Sequence, residues 1–225
     1  NFNRKHVSTI PMEEYIEAEQ ISLDKINSKA VYKEIIRPIT TNPTSEKFFK
    51  ENWNIEQEEM RELYSVPFTT TIYTKLRSFQ FKINHNIFYT NEKLHKIGLS
   101  KTALCYMCNE TETLSHFFVE CQEKKTFWKK VTELLLPYGV QKIDNSEIIL
   151  GILTENGINN VTNHIILEAK YYLHMCKLEK SIPHFARFKN RLKITESIER
   201  QIATKSTKKR LAHEYKWNHL NNFLL

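Results

Sequence analysis

Three of the chain's four cysteines and one histidine lie within the stretch CYMCNETETLSHFFVEC, spaced C-x2-C-x7-H-x4-C. These residues are Cys105, Cys108, His116 and Cys121. Two cysteines separated by two residues fit a tight turn that directs both sulfur atoms to one point, and tetrahedral Zn²⁺ prefers thiolate and imidazole ligands. The polar spacer NETETLS is long enough to reverse the chain, and a helix end or kink after His116 can turn Cys121 toward the metal. The spacing therefore predicts one structural Zn²⁺, because four protein ligands leave no position for a reactive water.

Three alternatives remain for this cluster. A disulfide requires an oxidising compartment, whereas the opening residues NFNRKHVSTI lack the apolar region of a secretory signal. Unlinked buried thiols require a chance grouping beside a correctly spaced histidine. A catalytic Cys–His pair needs a third orienting group, and none is identifiable. Cys176 lies on an apolar helical face and is predicted to be a core residue.

Turn residues are scarce, with four Gly and six Pro, which favours a mostly helical chain. The predicted fold class is all-α: a helical domain with an embedded zinc-binding knuckle of the Cys-Cys-His-Cys type. Helices are expected over residues 11–19, 28–36 (with Val31, Ile35 and Ile36 inward), 56–64, 91–97, 122–136, 163–180 and 183–203, and a further helical turn after Thr44 or Ser45. No apolar run approaches the length of a membrane span.

The strongest periodic signal follows Val66-Pro67, which is expected to end the helix before it. Apolar residues then recur at helical spacing along one predicted face: Phe68, Ile72, Leu76, Phe79, Ile83 and Ile87. We therefore predict an N-terminal helical segment over residues 1–66 and a zinc-binding helical domain with a basic tail over residues 67–225. The segment KSTKKR is expected to break the basic helix or open a loop, and the last residues to pack or fray.

The net charge of +7 is concentrated between Pro183 and Lys216, a segment with ten basic and three acidic residues. Such a segment on a neutral body indicates an anionic polymer as partner, although a solvated basic helix has the same composition. The first candidates for contact with nucleic acid are Arg187, Lys189, Arg191, Lys193, Lys208, Lys209 and Arg210. The next are Lys75, Arg77 and Lys82, whose alternative is simple solvation.

Catalytic carboxylates are not apparent. The chain has only two aspartates, Asp24 and Asp144, and they are far apart in sequence. Polymerases and related nucleases hold Mg²⁺ with clustered carboxylates. We therefore predict no catalytic residue in this chain.

The stretch FTTTIYTKLRSFQFKINHNIFYTNEKLHKIGLSKTALCYMCNETETLSHFFVECQEKKTFW resembles the zinc-binding region that follows the polymerase in reverse transcriptases of non-LTR (LINE-type) retrotransposons. The matching positions are Lys75, Leu76, Arg77, Phe79, Phe81, Leu94, Gly98, Cys105, Cys108, His116, Cys121, Phe127 and Trp128. The later segments IILGIL, HIILEAKYYLHMCK and KNRLK extend the resemblance more loosely, over roughly residues 28–217.

The resemblance implies a function beyond what composition gives. Proteins of this family are multidomain enzymes that nick DNA and prime cDNA synthesis at the nick, with endonuclease and reverse transcriptase domains upstream of this tail. The tail itself is non-catalytic and is implicated in holding the element RNA, the target DNA or both. The implied location is the nucleus and cytoplasmic ribonucleoprotein, with no membrane partner. The alternatives are a structural or protein-interaction zinc module that braces the polymerase or recruits a host factor, and, less favoured, an autonomous nuclease or polymerase.

Overall fold

The computed structural model describes residues 28–154, 157–158 and 160–224 of the 225-residue chain. The chain divides into two compact units, residues 1–42 and 43–225. In the first unit, helix α1 (Ser28–Ile36) has the predicted bounds and is followed by a 3-10 turn (Arg37–Ile39). Val31 and Ile35 are exposed, so their predicted inward orientation is wrong: the described part of this unit offers no second α-helix to cover them. The helix predicted over residues 11–19 lies outside the described residues.

The second unit is helical, as predicted. Its helices are α2 (Thr44–Trp53), α3 (Gln57–Thr70), α4 (Thr74–Asn84), α5 (Asn91–Lys96), a π-helical turn (His116–Glu120), α6 (Gln122–Leu135), a 3-10 turn (Leu136–Tyr138), α7 (Asn145–Leu150), α8 (Asn160–Glu179), α9 (Phe185–Ala203) and α10 (Thr207–Leu224). Two short antiparallel strands, β1 (Leu153–Thr154) and β2 (Gly157–Ile158), pair Leu153 with Ile158. The fold class is all-α with the Cys-Cys-His-Cys group embedded in it.

Helix α3 continues through Pro67, so the predicted stop at Val66-Pro67 is wrong. A proline inside a helix has no N–H to donate to the carbonyl four residues earlier. That carbonyl belongs to Leu63, and it accepts a hydrogen bond of 3.1 Å from Asn84 Nδ2 of α4. The amide of Asn84 therefore replaces the missing intrahelical bond, and the helix ends only at Thr70.

The predicted apolar face from Phe68 to Ile87 is not continuous. Thr71 is extended and separates α3 from α4, so Phe68 and Ile72 remain 57% and 60% exposed. Ile87, beyond the end of α4, is also exposed. Only the middle of the predicted face, Leu76, Phe79 and Ile83, is buried. The break at Thr71, which the periodicity does not report, leaves Phe68 and Ile72 outside the core, and the end of α4 at Asn84 leaves Ile87 outside it.

Helix α8 lies at the centre of the second unit and packs against α3, α4, α6 and α9. The apolar face on which Cys176 is predicted to lie also carries Ile166, Ala169 and Leu173, and it is buried, as are polar residues on the other sides of the helix. Lys170 is among them: its Nζ donates to Gln80 Oε1 (2.6 Å) and to the Ile149 carbonyl (2.7 Å). Burial lowers the pKa of Lys170 well below its ordinary value, so this amine serves the core as a hydrogen-bond donor.

Helix α9 ends at Ala203, as predicted, and a three-residue connection leads into α10. The C-terminal segment packs rather than frays over its described side chains, because Trp217 and Leu220 are buried. Lys208, Lys209 and Arg210, expected in or beside a loop, instead form the first turn of α10.

The predicted domain boundary between residues 66 and 67 falls inside α3, and the observed division is between Asn42 and Pro43. The sequence around Val66-Pro67 indicates a helix end and hence a boundary, but both residues are buried inside the second unit. None of the helices in the described part of the chain is both long enough and apolar enough to cross a membrane.

Candidate metal centre

The first two cysteines lie on a tight turn closed by main-chain hydrogen bonds. The Cys105 N–H donates to the Glu110 carbonyl (2.7 Å), and the Asn109 N–H donates to the Cys105 carbonyl (3.1 Å). Asn109 has φ of 62°, in the left-handed region that Asn tolerates better than most residues. Leu104 and Thr111 form an isolated antiparallel bridge across the base of the turn. The sequence C-x2-C thus forms the compact reversal predicted for it.

The second pair of donors is brought together by the π-helical turn His116–Glu120. In an α-helix, residues five apart point about 140° away from each other. Here the Cys121 N–H donates to the His116 carbonyl at 3.2 Å. This i→i+5 bond closes a wider turn, which returns the fifth residue to the side of the first. The predicted kink after His116 is therefore a π-turn.

The four side chains converge on one point. Their donor atoms all lie within 4.8 Å of one another, and Cys105, His116 and Cys121 are buried while Cys108 is half-buried. Cys108 Sγ is 3.8 Å from Cys121 Sγ and 3.2 Å from His116 Nε2. A tetrahedral Zn²⁺ with Zn–S bonds of about 2.3 Å needs sulfur atoms about 3.8 Å apart. The donor set and its spacing therefore fit a structural Zn²⁺.

Neighbouring residues support these donors. Glu110 Oε2 lies 3.3 Å from His116 Nδ1, opposite the donor nitrogen, and such a carboxylate fixes the tautomer and orientation of a ligating histidine. Lys124 is buried with its Nζ 4.0 Å from the Phe117 ring centroid, and it donates to the Phe117 carbonyl. Burial lowers the pKa of Lys124, while the nearby Cys121 and Cys105 raise it. Burial also raises the pKa of the Cys121 thiol to about 12.

Glu112 connects the cysteine turn to two helices. Its buried carboxylate accepts a hydrogen bond from the Asn91 N–H at the start of α5 (2.8 Å) and forms an ion pair with Lys177 of α8. The Lys177 Nζ also lies 5.2 Å from the Phe117 ring centroid. Sequence reasoning missed Glu112, Lys124 and Lys177, because each acts through a contact that no local pattern reports.

The fourth cysteine and the other histidines of the described residues stand apart from this cluster. Among the described residues, no other group of histidine, cysteine and acidic side chains has the geometry to hold a metal. Cys176, a residue of α8, is buried in the core, as predicted. His164 is also buried, and its Nδ1 lies 3.2 Å from the Thr70 carbonyl oxygen.

The basic residues predicted to contact nucleic acid separate into two classes. The four arginines are engaged within the fold. Arg77 donates to the carbonyls of Thr71 (2.6 Å) and Phe68 (3.2 Å). The other three form ion pairs: Arg187 with Glu179 (3.0 Å), Arg191 with Glu168 (2.9 Å) and Arg210 with Glu214 (3.8 Å). The side-chain ammonium groups of the six lysines make no hydrogen bond or ion pair with any described residue: Lys75, Lys82, Lys189, Lys193, Lys208 and Lys209.

The basic residues of α9 do not form one surface. Lys189 lies two residues from Arg187, hence about 200° around the helix from it. Arg191 shares the side of Arg187, one turn further on, and its guanidinium lies 5.0 Å from the Tyr171 ring centroid of α8. Two separate flanks of α9 therefore carry positive charge.

Comparison with known families bears on the same region. Residues 40–128 match the family model described as zinc-binding in reverse transcriptase. This part of the chain is a zinc-binding region of the reverse-transcriptase-associated type. The zinc-binding region includes α2 to α5 and the Cys-Cys-His-Cys cluster, and it ends at Trp128 within α6. None of the curated proteins compared with the chain matched it significantly.

Proposed function

We propose that the chain is a non-catalytic, zinc-stabilised domain of a LINE-type retrotransposon reverse transcriptase that binds RNA, target DNA or both during target-primed reverse transcription. The family match of residues 40–128 and the donor geometry of the cluster support this assignment. On this proposal, the endonuclease and polymerase domains belong to the same polyprotein. The domain acts in the nucleus and in cytoplasmic ribonucleoprotein.

The metal has a structural role in this proposal. Cys105, Cys108, His116 and Cys121 would hold one Zn²⁺, which joins the cysteine turn to the π-turn. Cys121→Ser should abolish stoichiometric zinc in elemental analysis. Cys176→Ser, at a cysteine equally buried but outside the cluster, should retain one zinc per chain. Equal zinc content in both variants would contradict the assignment of Cys121.

The observation that carries nucleic-acid binding is the set of six lysines without partners among the described residues. An ion pair within the fold would compete with a phosphate, whereas a free ammonium is available to one. Lys208 and Lys209 lie in the first turn of α10, where positive side chains are disfavoured by the helix dipole. A bound anion would relieve that unfavourable placement, as phosphates do at helix N-termini.

Fluorescence-anisotropy titration of the full chain with RNA, single-stranded DNA and nicked duplex, at two salt concentrations, tests this function. Phosphate contacts supply affinity without sequence information and weaken steeply with salt. The double variant Lys208→Glu/Lys209→Glu should bind at least tenfold more weakly, and its salt dependence should fall by about one unit of slope per lost contact.

A matched control is Lys47→Glu/Lys142→Glu. Both lysines are highly exposed and lie on other elements, where they pair with Glu51 and Asp144. The control changes the net charge by the same amount. If the binding surface includes Lys208 and Lys209 specifically, the control should lose much less affinity for nucleic acid. Absence of binding by the unaltered chain at low salt would reject nucleic-acid binding as the function.

One observation favours the structural alternative. Phe68 and Ile72, exposed at the end of α3, line a notch of about 290 Å³ with Ile202, Ala203 and Ala212. Exposed apolar side chains around a notch are typical of a protein contact. If nucleic acid does not bind at low salt, this notch becomes the place to look for a polymerase or host-protein contact.

A further inference from the structure

A second groove, lined by other residues than the notch, has the composition of a site for a nucleobase. It lies between α4, the segment that follows α4, and α8, and its volume is about 390 Å³, within the range of small-ligand sites, about 300–1,000 Å³. Two lysines of α4, Lys75 and Lys82, stand on its rim, and Ser78 lies between them. No acidic residue is among the described residues that line it.

The two lysines are placed to act together. They are seven residues apart on α4, which puts them on one face and about 10 Å apart along the helix. Both are exposed, and neither is paired with a described residue. A strand that crosses the groove between them would present successive phosphates to two free ammonium groups.

The opposite wall is aromatic. Tyr89 is 59% exposed, although the residues on either side of it, Phe88 and Thr90, are buried. Its main chain is fixed, because the Tyr89 carbonyl accepts a hydrogen bond of 3.3 Å from Lys177 Nζ, and Thr90 caps α5 through a hydrogen bond from the Lys93 N–H (3.3 Å). A large exposed ring on a fixed main chain is available for stacking, and only its side-chain rotamer has to be ordered.

The floor is formed by residues of α8. His174 packs against Phe79 and Phe88, with ring centroids 5.5 and 5.3 Å apart. Burial, with Lys177 and Lys82 as further causes, lowers the pKa of His174 to about 4. The floor is therefore neutral at physiological pH and suits an uncharged heterocycle.

Tyr171 connects the groove to α9. Its ring lines the groove, and the Arg191 guanidinium lies 5.0 Å from the ring centroid. A strand leaving the groove past Tyr171 would therefore meet the flank of α9 that carries Arg187 and Arg191. This continuity joins two of the basic regions predicted from the sequence.

We propose that this groove binds an unpaired nucleobase of a single-stranded nucleic acid, with Tyr89 as the stacking platform and Lys75 and Lys82 as phosphate contacts. The proposal rests on the proposed function and names the form of nucleic acid that the chain recognises. Bases in a duplex are stacked on their neighbours and cannot enter such a groove, whereas single-strand binders combine positive charge with exposed aromatic rings. RNA and single-stranded DNA share this chemistry, and both are probes in the test.

The test compares Tyr89→Ala with Tyr89→Phe in the full chain. The probes are fluorescein-labelled dodecamers of uridine and of thymidine, an abasic strand of the same length, and a duplex. The unaltered chain should bind the base-bearing strands more tightly than the abasic strand. Tyr89→Ala should lose about tenfold in affinity for the base-bearing strands, the size of one stacking contact, and little for the abasic strand. Tyr89→Phe keeps the ring and should bind as the unaltered chain does.

Two further variants sharpen the result. Tyr215→Ala removes a tyrosine that is 81% exposed on α10 and should leave every affinity unchanged. Lys75→Ala should weaken base-bearing and abasic strands alike. Zinc content and circular dichroism check that each variant is folded.

The possible failures are distinguishable. If the unaltered chain binds none of the probes at low salt, the proposed function fails and this inference fails with it. If it binds, but base-bearing and abasic strands have equal affinity, or the duplex binds most tightly, or Tyr89→Ala has no effect, the groove inference alone is overturned.

Discussion

Glu110 illustrates how one exposed residue can adjust a buried site. Its side chain is largely in water, yet its carboxylate lies 3.3 Å from His116 Nδ1. A carboxylate at that nitrogen orients the imidazole and increases its basicity as a ligand. The contact is therefore expected to influence metal affinity more than folding.

Glu110→Ala should weaken zinc affinity by roughly tenfold. This is the low end of the loss expected when a carboxylate partner of a ligating histidine is removed, because Glu110 is exposed. Competition with a chromophoric chelator measures the affinity. Glu120→Ala, at another exposed glutamate of the same segment, is the control and should leave zinc affinity unchanged. Equal affinities for the two variants would mean that the Glu110 contact does not form in solution.

His164 gives the chain a pH-dependent stability. Burial, and secondarily Lys216, lower its pKa to about 4, whereas a histidine in an unfolded chain has a pKa of about 6.5. The unfolded state therefore binds a proton between these values that the folded state does not. The stability contributed by neutral His164 is complete above pH 6.5 and is lost as the pH falls toward 4.

Relative to His164→Asn, the unaltered chain should lose about 2–3 kcal/mol of unfolding free energy between pH 7.5 and pH 4.5. Asparagine keeps a polar atom near the Thr70 carbonyl but does not titrate. Urea unfolding of both proteins at both pH values gives the difference between their unfolding free energies. Zinc release at low pH affects both proteins and therefore cancels in this difference. A pH-independent difference would show that His164 is not buried and neutral in solution.

Helix α10 packs against α9 through the buried ring of Trp217, which is hydrogen-bonded to Glu199 of α9. Trp217 is 1% exposed, and its Nε1–H donates to Glu199 Oε2 at 2.8 Å. The same carboxylate accepts from Lys216 Nζ at 2.9 Å. The ring supplies apolar burial, and Glu199 satisfies the polar groups that come with it.

Trp217→Ala should lower the free energy of unfolding by about 3–5 kcal/mol, the cost of a large cavity. Tyr215→Ala, two residues away and exposed, should change it by no more than about 0.5 kcal/mol. Urea unfolding followed by circular dichroism measures both. Equal small effects would show that α10 frays from α9 in solution.

At the scale of the molecule, the zinc-binding region and the helical core are one structure. Phe117 and Phe118, inside the π-turn, are fully buried. Both pack against Phe88, with centroids 5.4 and 5.2 Å away. The Glu112–Lys177 ion pair joins the cysteine turn to α8. Loss of the metal is therefore expected to destabilise the helical core as well as the cysteine turn.

Chelator treatment should lower the melting temperature by about 10 °C or more, since zinc-binding free energy is folding free energy. Hydrogen exchange should rise in α8 as well as in residues 103–121, because the two share a core. Cys176→Ala should respond to chelator as the unaltered chain does. Faster exchange confined to residues 103–121 would show that the core is independent of the metal.

Local patterns of residues predict the candidate metal donors and most helices. Four donors at short separations need only local turns to converge, and 3.6-residue periodicity is recorded in the residues themselves. For the same reason α1 was predicted with the observed bounds and α9 with the observed end.

Features that depend on distant partners could not be predicted from local patterns. Asn84 satisfies the carbonyl that Pro67 leaves free, so α3 passes the predicted stop. Acids on α8 and α10, and two carbonyls for Arg77, engage the candidate arginines, whereas the ammonium groups of the candidate lysines have no partner among the described residues. The groove beside Tyr89 exists because α4 and α8, about ninety positions apart in sequence, lie against each other. Such contacts are selected by packing of the whole unit, and no local pattern of residues encodes them.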